Sequence, residues 1–288
     1  SSYTVNVVGN ASFPSDELLI STGTLDVDGS FAASESITFS GAGRLQLSGT
    51  VSDLGTMNHT MGTVEYDASG PQNILADTYF NLEIDGSGVK SLPTSNVTVN
   101  GDLTLSAGSL AYNSGSSSKF ITLKGSVFGT GTITASTTSI FLISGNGTNQ
   151  DIRGISSDNI GIRLSGSANA TTSGDITAKY LDLLSGSTGT FTIDGEIVTI
   201  NPTGGYLEMD GGDLTVSGGS LIINSTSETK NEIDAGTLTV SGGLVQFTGN
   251  NSSTSTGGDL NIDGGTLAVS SGSISINDEL DIGTGTIN

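Results

Sequence analysis

The 288-residue chain has no cysteine, no tryptophan, one histidine and only eight lysines and arginines. Without cysteine there is neither a disulfide framework nor a thiolate metal site. His59, in TMNHTMG, has no partner residue in its surroundings, which sets aside hydrolytic triads and histidine-based zinc centres. Eight basic residues against 29 acidic ones leave a formal charge of −21, so nucleic acid, which binds by releasing counterions to Lys and Arg, is not a partner this composition supports. Anionic membrane surfaces are disfavoured for the same reason. No apolar run approaches the ~20 residues of a membrane helix, and no membrane insertion is expected. The start, SSYTVNVVGN, has neither a basic segment nor an apolar stretch, and both ends run directly into strand pattern. The chain therefore reads as a mature product or a section of something longer.

What is present is glycine, 43 residues of it, and a persistent alternation of Leu, Ile and Val with small polar residues. That alternation separates the chain from disordered sequences of similar composition. The phrase DLTVSGGSL at 213–221 recurs as TLTVSGGLV at 237–245, DLNIDGGTL at 259–267 and ELDIGTGTI at 279–287, with DLTLSAGSL much earlier at 102–110. Steps of about 20–24 residues, each holding short strands parted by glycine corners, predict an all-β, elongated, right-handed parallel β-helix (a β-solenoid). Leu214 is expected to stack with Leu238, Leu260 and Leu280, and Val216 with Val240, Ile262 and Ile282, as core columns. Gly219, Gly243, Gly265 and Gly285 are expected at corners, where glycine enters the left-handed region without strain. SDELLIS at 15–21 is the best helical candidate, too short to stand against a strand.

A longer repeat is superimposed, since QNILADTYFNLEI at 72–84 aligns with QDIRGISSDNIGI at 150–162 and the match extends to Gly108 and Gly186. One continuous solenoid over 1–288 is expected, with N-terminal rungs at 1–61, a first long repeat at 62–139, a second at 140–204 and short regular rungs at 205–288. The stretches 113–119, 224–231 and 248–258 read as loops.

The string GTVEYDASGPQNILADTYFNLEIDGSGVKSL…NVTVNGDLTLSAGSL at 62–110 resembles repeats of very large secreted surface proteins of the Bacteroidota, including gliding-motility adhesins. Gly62, Val64, Tyr66, Gln72, Ile74, Phe80, Asn81, Leu82, Ile84, Val99, Gly101, Leu103, Leu105, Gly108 and Leu110 carry the resemblance, and the second block departs from it with Asp158 in place of Phe80. The resemblance implies an extracellular, cell-surface β-helical shaft whose partners are other segments of the same protein or filament, with surface polysaccharide as a further candidate.

Catalytic residues are not expected. A polysaccharide lyase or hydrolase would need clustered carboxylates with Lys or Arg, for which Asp175, Lys179 and Asp182, or Asp151, Arg153 and Arg163, are the available groups. No cofactor is expected beyond Ca²⁺, whose candidate ligands are Asp26, Asp28, Asp213, Asp259 and Glu279. Asp26-Val27-Asp28-Gly29 is only a fragment of a calcium loop, and a solvated acidic surface is the favoured account of these residues, since exposed charges at this spacing require no metal. Outward Thr215 and Thr239 suggest an ice- or surface-binding array, but the expected next neighbours, Asn261 and Asp281, interrupt it. Sequons at Asn10, Asn58, Asn96, Asn146, Asn169 and Asn224 mark exposed loops. The sequence thus reads as a structural shaft or filament segment of a surface adhesin, for attachment or motility. The alternatives are a carbohydrate-binding or polysaccharide-degrading β-helix, and an ice- or surface-binding solenoid.

Overall fold

Short strands of Val, Ile, Leu and Thr closed by glycine leave each segment one apolar face, which only a stack of similar segments can cover. The computed structural model, which describes residues 3–58, 60–112, 120–201, 205–225, 231–249 and 258–288, meets that demand with parallel strands throughout. It is an all-β solenoid of about 12 turns at about 21 residues per turn, with no helix among the described residues. The segment 15–21 contributes a strand, Leu18–Ile20, whose register partners are Ile37–Phe39. His59, the loop at 113–119 and most of those at 224–231 and 248–258 lie outside the described residues.

Two compact units divide the chain, 1–134 and 135–288. In the first, one side is a seven-stranded parallel sheet running from Thr4–Val7 to Val127–Gly129. Its inward columns are apolar: Leu25, Leu45, Val64, Leu82 and Leu103 in one, Val27, Leu47, Tyr66, Ile84 and Leu105 in the next. A second side changes partway. Phe31–Phe39 pairs along its length with Ala11–Phe13, Leu18–Ile20 and Val51–Met57, whereas Gln72–Asn73 starts a separate sheet with Val89–Ser91 and Ser109–Tyr112.

In the second unit every turn has the same plan. One side holds Ile160–Leu164, Tyr180–Leu183, Leu207–Met209, Asn231–Ile233, Leu260–Ile262 and Leu280–Ile282. The next holds Ser167–Thr172, Thr190–Ile193, Asp213–Val216, Thr237–Val240, Thr266–Val269 and Thr286–Ile287. The third runs from Ile176–Ala178 to Ser273–Ile276.

This topology corrects the expected columns. Leu214 lies in register with Leu238, but Leu238 then meets Leu267, and Val240 meets Val269. Leu260 and Ile262 stack with Leu280 and Ile282 on the neighbouring side. The cause is that two sides of each turn end in the same chemistry, a strand followed by a glycine corner: LTVSGGS precedes the third side and LNIDGGT the second. Leu214, Val216, Leu238, Val240, Leu260 and Ile262 are buried, whereas Leu280 and Ile282, in the last turn, are 40% and 47% exposed.

The corner glycines divide into two kinds. Gly219 is left-handed, with φ of 66°. Gly243, Gly265 and Gly285 are not, and glycine is required there for another reason. A Cβ on Gly243 would stand 2.6 Å from a methyl of Val216 and 2.8 Å from the carbonyl oxygen of Gly219, both in the turn before it. A similar approach to Ile233 and Ile262 excludes a side chain at Gly265 and Gly285.

The 78-residue offset brings buried Gln72 onto buried Gln150 and left-handed Gly108 onto left-handed Gly186. It does not preserve pairing. Leu82 is the register partner of Leu103, but the residues aligned with them, Ile160 and Leu181, are not partners, because Leu181 meets Ile162.

The corrected register carries a direct expectation. Val240→Asp places a carboxylate between Val216 and Val269 and should cost about 3 kcal/mol or more. Ile282→Asp, at a half-exposed position, should cost about 1 kcal/mol or less. Urea unfolding of the two variants would distinguish this register from one that stacks the two residues in a common column.

Candidate functional site

A recurring device at the strand starts decides what the candidate calcium ligands do. The side-chain oxygen of an Asn or Asp accepts the backbone N–H at the same level of the following turn. Asn81 accepts from Asp102, Asp102 from Ser126, Asn169 from Thr190 and Asp213 from Thr237, each at 2.9 Å. Asp259 accepts from Glu279 at 3.2 Å, and Asp175 from Ile197 at 2.8 Å. Asp213 and Asp259 are thus caps on different sides of the turn: Asp259 and Glu279 stand at the same level of successive turns, and Asp213 lies in another column, level with Thr237. Asp26 and Asp28 stand outward on the Thr24–Val27 side, where Asp26 meets Asn6 and Gln46 in register. Burial, with Asp28 and Asp67 adding like charge, raises the Asp26 carboxyl above its ordinary range. Among the described residues no three or more His, Cys, Asp or Glu side chains gather in a metal-binding group.

The polar groups buried in the first unit answer a structural need. Where one lateral sheet ends after Val51–Met57 and another begins at Gln72, carbonyls at the corner need donors. Gln72 donates to the carbonyls of Leu47 and Gly49 at 2.6 and 2.8 Å. Lys90, the next residue of that inward column, is fully buried and donates to the carbonyl of Ala68 at 2.8 Å. Burial pushes its ammonium below the usual lysine range, opposed by Asp67 and Asp85. Deeper still, the hydroxyls of Tyr66 and Tyr79 meet at 3.1 Å and fasten the backbone of Leu75. Burial raises Tyr66 to about 12. On the outside of this unit Arg44 Nη1 bridges Glu65 and Glu83 at 2.5 Å each. A cavity of about 360 Å³ beside Gln72 is lined by Ser48, Thr50, Val51, Pro71 and Asn73 and carries no charged group.

The second unit holds the one patch among the described residues where aromatic rings, a guanidinium and carboxylates meet. Strand alternation puts Gly161 and Arg163, then Tyr180 and Asp182, on the outer face of successive turns, with Glu208 in register after Asp182. Tyr206, two residues before Glu208, stacks on Tyr180 with centroids 4.9 Å apart and planes 9° from parallel. The arrangement depends on glycine, because a Cβ on Gly161 would lie 1.9 Å from the Tyr180 ring. Arg163 Nε forms an ion pair with Asp182 Oδ2 at 2.8 Å, and its guanidinium carbon lies 5.6 Å from the Tyr180 centroid. Asp182 is nearly inaccessible, while the Arg163 side chain keeps 29% of its surface exposed. Burial raises the Asp182 carboxyl against the pull of Arg163. The Glu208 carboxyl is raised by burial and then by Asp182, Asp210 and Glu232. Tyr206 is pushed up to about 12, by burial first and then by Tyr180, Glu208 and Asp182.

The charged groups grouped from sequence separate accordingly. Lys179 donates to Thr138 at 2.9 Å, Arg153 to Ser173 at 3.0 Å, and Asp175 serves as a cap, while Arg163 and Asp182 come together, each out of a different expected set. The two tyrosines were legible as the twin phrases YLDL at 180–183 and YLEM at 206–209. A search for x-L-x-V passes over them because it weighs the inward residues alone. The threonine array is also longer than expected. Thr215 and Thr239 are flanked in register by Thr192 and Ala268, and Thr171 lies before Thr192.

Two measurements follow. If Asp213 is a cap, Asp213→Asn keeps the acceptor and should be near neutral, while Asp213→Ala loses about 1 kcal/mol, equally with chelator or with Ca²⁺. A calcium-dependent melt lost in Asp213→Asn would contradict this. For pH, the carboxyls of Asp26, Glu65, Asp182, Glu208 and Asp234 are all raised above their ordinary 3.8 or 4.5, burial being the first cause of each. Just above those values the folded chain binds more protons than the unfolded one, so stability falls as pH rises through this window. The thermal midpoint at low salt should therefore be higher near pH ~5 than near pH ~7.5; a midpoint that instead climbs steadily with pH would reverse the sign.

No protein-family profile, curated protein or solved structure matches this chain.

Proposed function

We propose that the chain is a structural segment of an extracellular surface adhesin or filament, a spacer that holds other parts of a larger assembly at a distance. The observation that carries this reading is the use to which the polar groups are put. Outward Asn and Asp side chains close amides of the next turn, and the inward polar residues Gln72, Lys90 and Asn231 close backbone groups too. Chemistry that an enzyme would direct at a substrate is here directed at the neighbouring turn. The repeat pattern of 62–110, with its resemblance to secreted surface adhesins, supports the same reading, as does the acidic, cysteine-free composition.

A second reading, binding to ice or another flat lattice, is favoured by the outward column Thr171, Thr192, Thr215 and Thr239, beside which Thr237, Thr266 and Thr286 form another. Against it, Asp213 and Ala268 break the regularity.

A spacer depends on whole turns rather than on the identity of any one. With the chain displayed between a cell surface and a known binding head, excising one turn, 213–236, should leave display and attachment intact. Excising 213–224 alone should abolish both, because register is lost. Loss of attachment after the whole-turn excision, with the strand spectrum retained, would overturn the spacer reading. Thermal hysteresis removed by Thr215→Tyr would favour the second.

A further inference from the structure

The outer patch of the second unit joins successive turns through a ring stack and an ion pair, and its parts share one chemistry. Tyr206 is a flat apolar surface fixed in orientation by Tyr180, which is itself seated on Gly161. Around it stand groups with planar hydrogen-bonding geometry: the guanidinium of Arg163, held by Asp182, and the carboxylate of Glu208. From Arg163 to Glu208 is two turn-to-turn steps, about 10 Å. We propose that this patch is a binding subsite for a neutral polysaccharide, with one sugar ring lying on Tyr206.

Each alternative ligand class meets a mismatch on the same patch. An anionic chain would face Asp182, Glu208 and the neighbouring Asp210 and Glu232, in a protein of net charge −21. An organic cation would be drawn to Glu208, but the cation position on Tyr180 is already filled by Arg163, whose N–H groups offer an ammonium nothing. A pyranose matches both halves of the site. Its C–H face covers the phenol ring, and its hydroxyl rim donates to Glu208 while accepting from Arg163. Fixing the rings by stacking, and the guanidinium by its ion pair, means that little side-chain freedom is lost on binding.

The test is affinity electrophoresis of the full chain through gels containing a neutral β-glucan, a neutral mannan, anionic alginate or cationic chitosan. Retardation by at least one neutral polymer is expected, weakened at least about tenfold in Tyr206→Ala and kept within about threefold in Tyr206→Phe, which retains the ring. Thermal melts of both variants show whether the fold is intact, and Glu208→Ala, which leaves the tyrosine stack in place, provides a second expected loss. Migration unaffected by both neutral polymers, retardation by alginate or chitosan alone, or neutral-polymer binding that survives both Tyr206→Ala and Glu208→Ala would overturn the proposal. None of these outcomes bears on the spacer reading, which rests on the turns and not on this patch.

Discussion

Everything in this protein depends on one distance, the separation of about 4.8 Å at which the backbone of one turn hydrogen-bonds to the next. A parallel stack at that spacing leaves no latitude beneath a corner. A Cβ on Gly236, which has a φ of 74°, would stand 1.7 Å from the carbonyl oxygen of Gly212, and one on Gly189 would stand 1.7 Å from that of Ala168. The abundance of glycine is therefore a consequence of turn spacing at least as much as of backbone conformation. The same spacing aligns identical positions of successive turns, so that Leu214 and Leu238, or Val216 and Val240, become continuous columns.

The polar chemistry follows from that constraint. Amides and carbonyls within the sheets are satisfied by their ladders and many at the corners by further backbone bonds, and to others the chain assigns side chains. Asn231 shows the logic in a single residue, since it is fully buried, accepts from the amide of Leu207 at 3.0 Å and donates to the carbonyl of Asp259 at 2.8 Å. The buried Gln72 and Lys90 do the same where the lateral sheet of the first unit is interrupted. A buried lysine would ordinarily attract a catalytic interpretation, but here its partner is a main-chain oxygen.

How much of this was legible in the sequence depends on which face of a strand a residue occupies. Inward alternation and glycine corners were plain, because a solenoid repeats them every turn, and so the fold class could be read directly. Register in the last hundred residues could not. DLTVSGG and DLNIDGG are the same phrase on two different sides, and nothing local says which side a phrase belongs to. The length of the segment between Phe247 and Leu260 decides it. The caps were readable as residue type but not as role, because an aspartate that binds an amide 24 residues away looks the same in sequence as one that faces water. Tyr180 and Tyr206 fall 26 residues apart, close enough to the turn length that a search of the outward positions would have found the pair.

The caps bear on covalent modification of the chain. Linkage of a glycan to asparagine consumes a carboxamide N–H and leaves the oxygen in place. Asn10 engages Ser30 through its oxygen, and Asn96 accepts from the amide of Phe120. Asn58 and Asn169 also commit the nitrogen, to the carbonyls of Phe39 and Gly147. Sequons that look equivalent in sequence thus differ in the folded chain: Asn58 and Asn169 engage the modifiable nitrogen, and Asn10 and Asn96 engage the oxygen. A decorated surface would carry its sugars at corners set by turn register, in positions fixed by which atom of each amide the next turn has claimed.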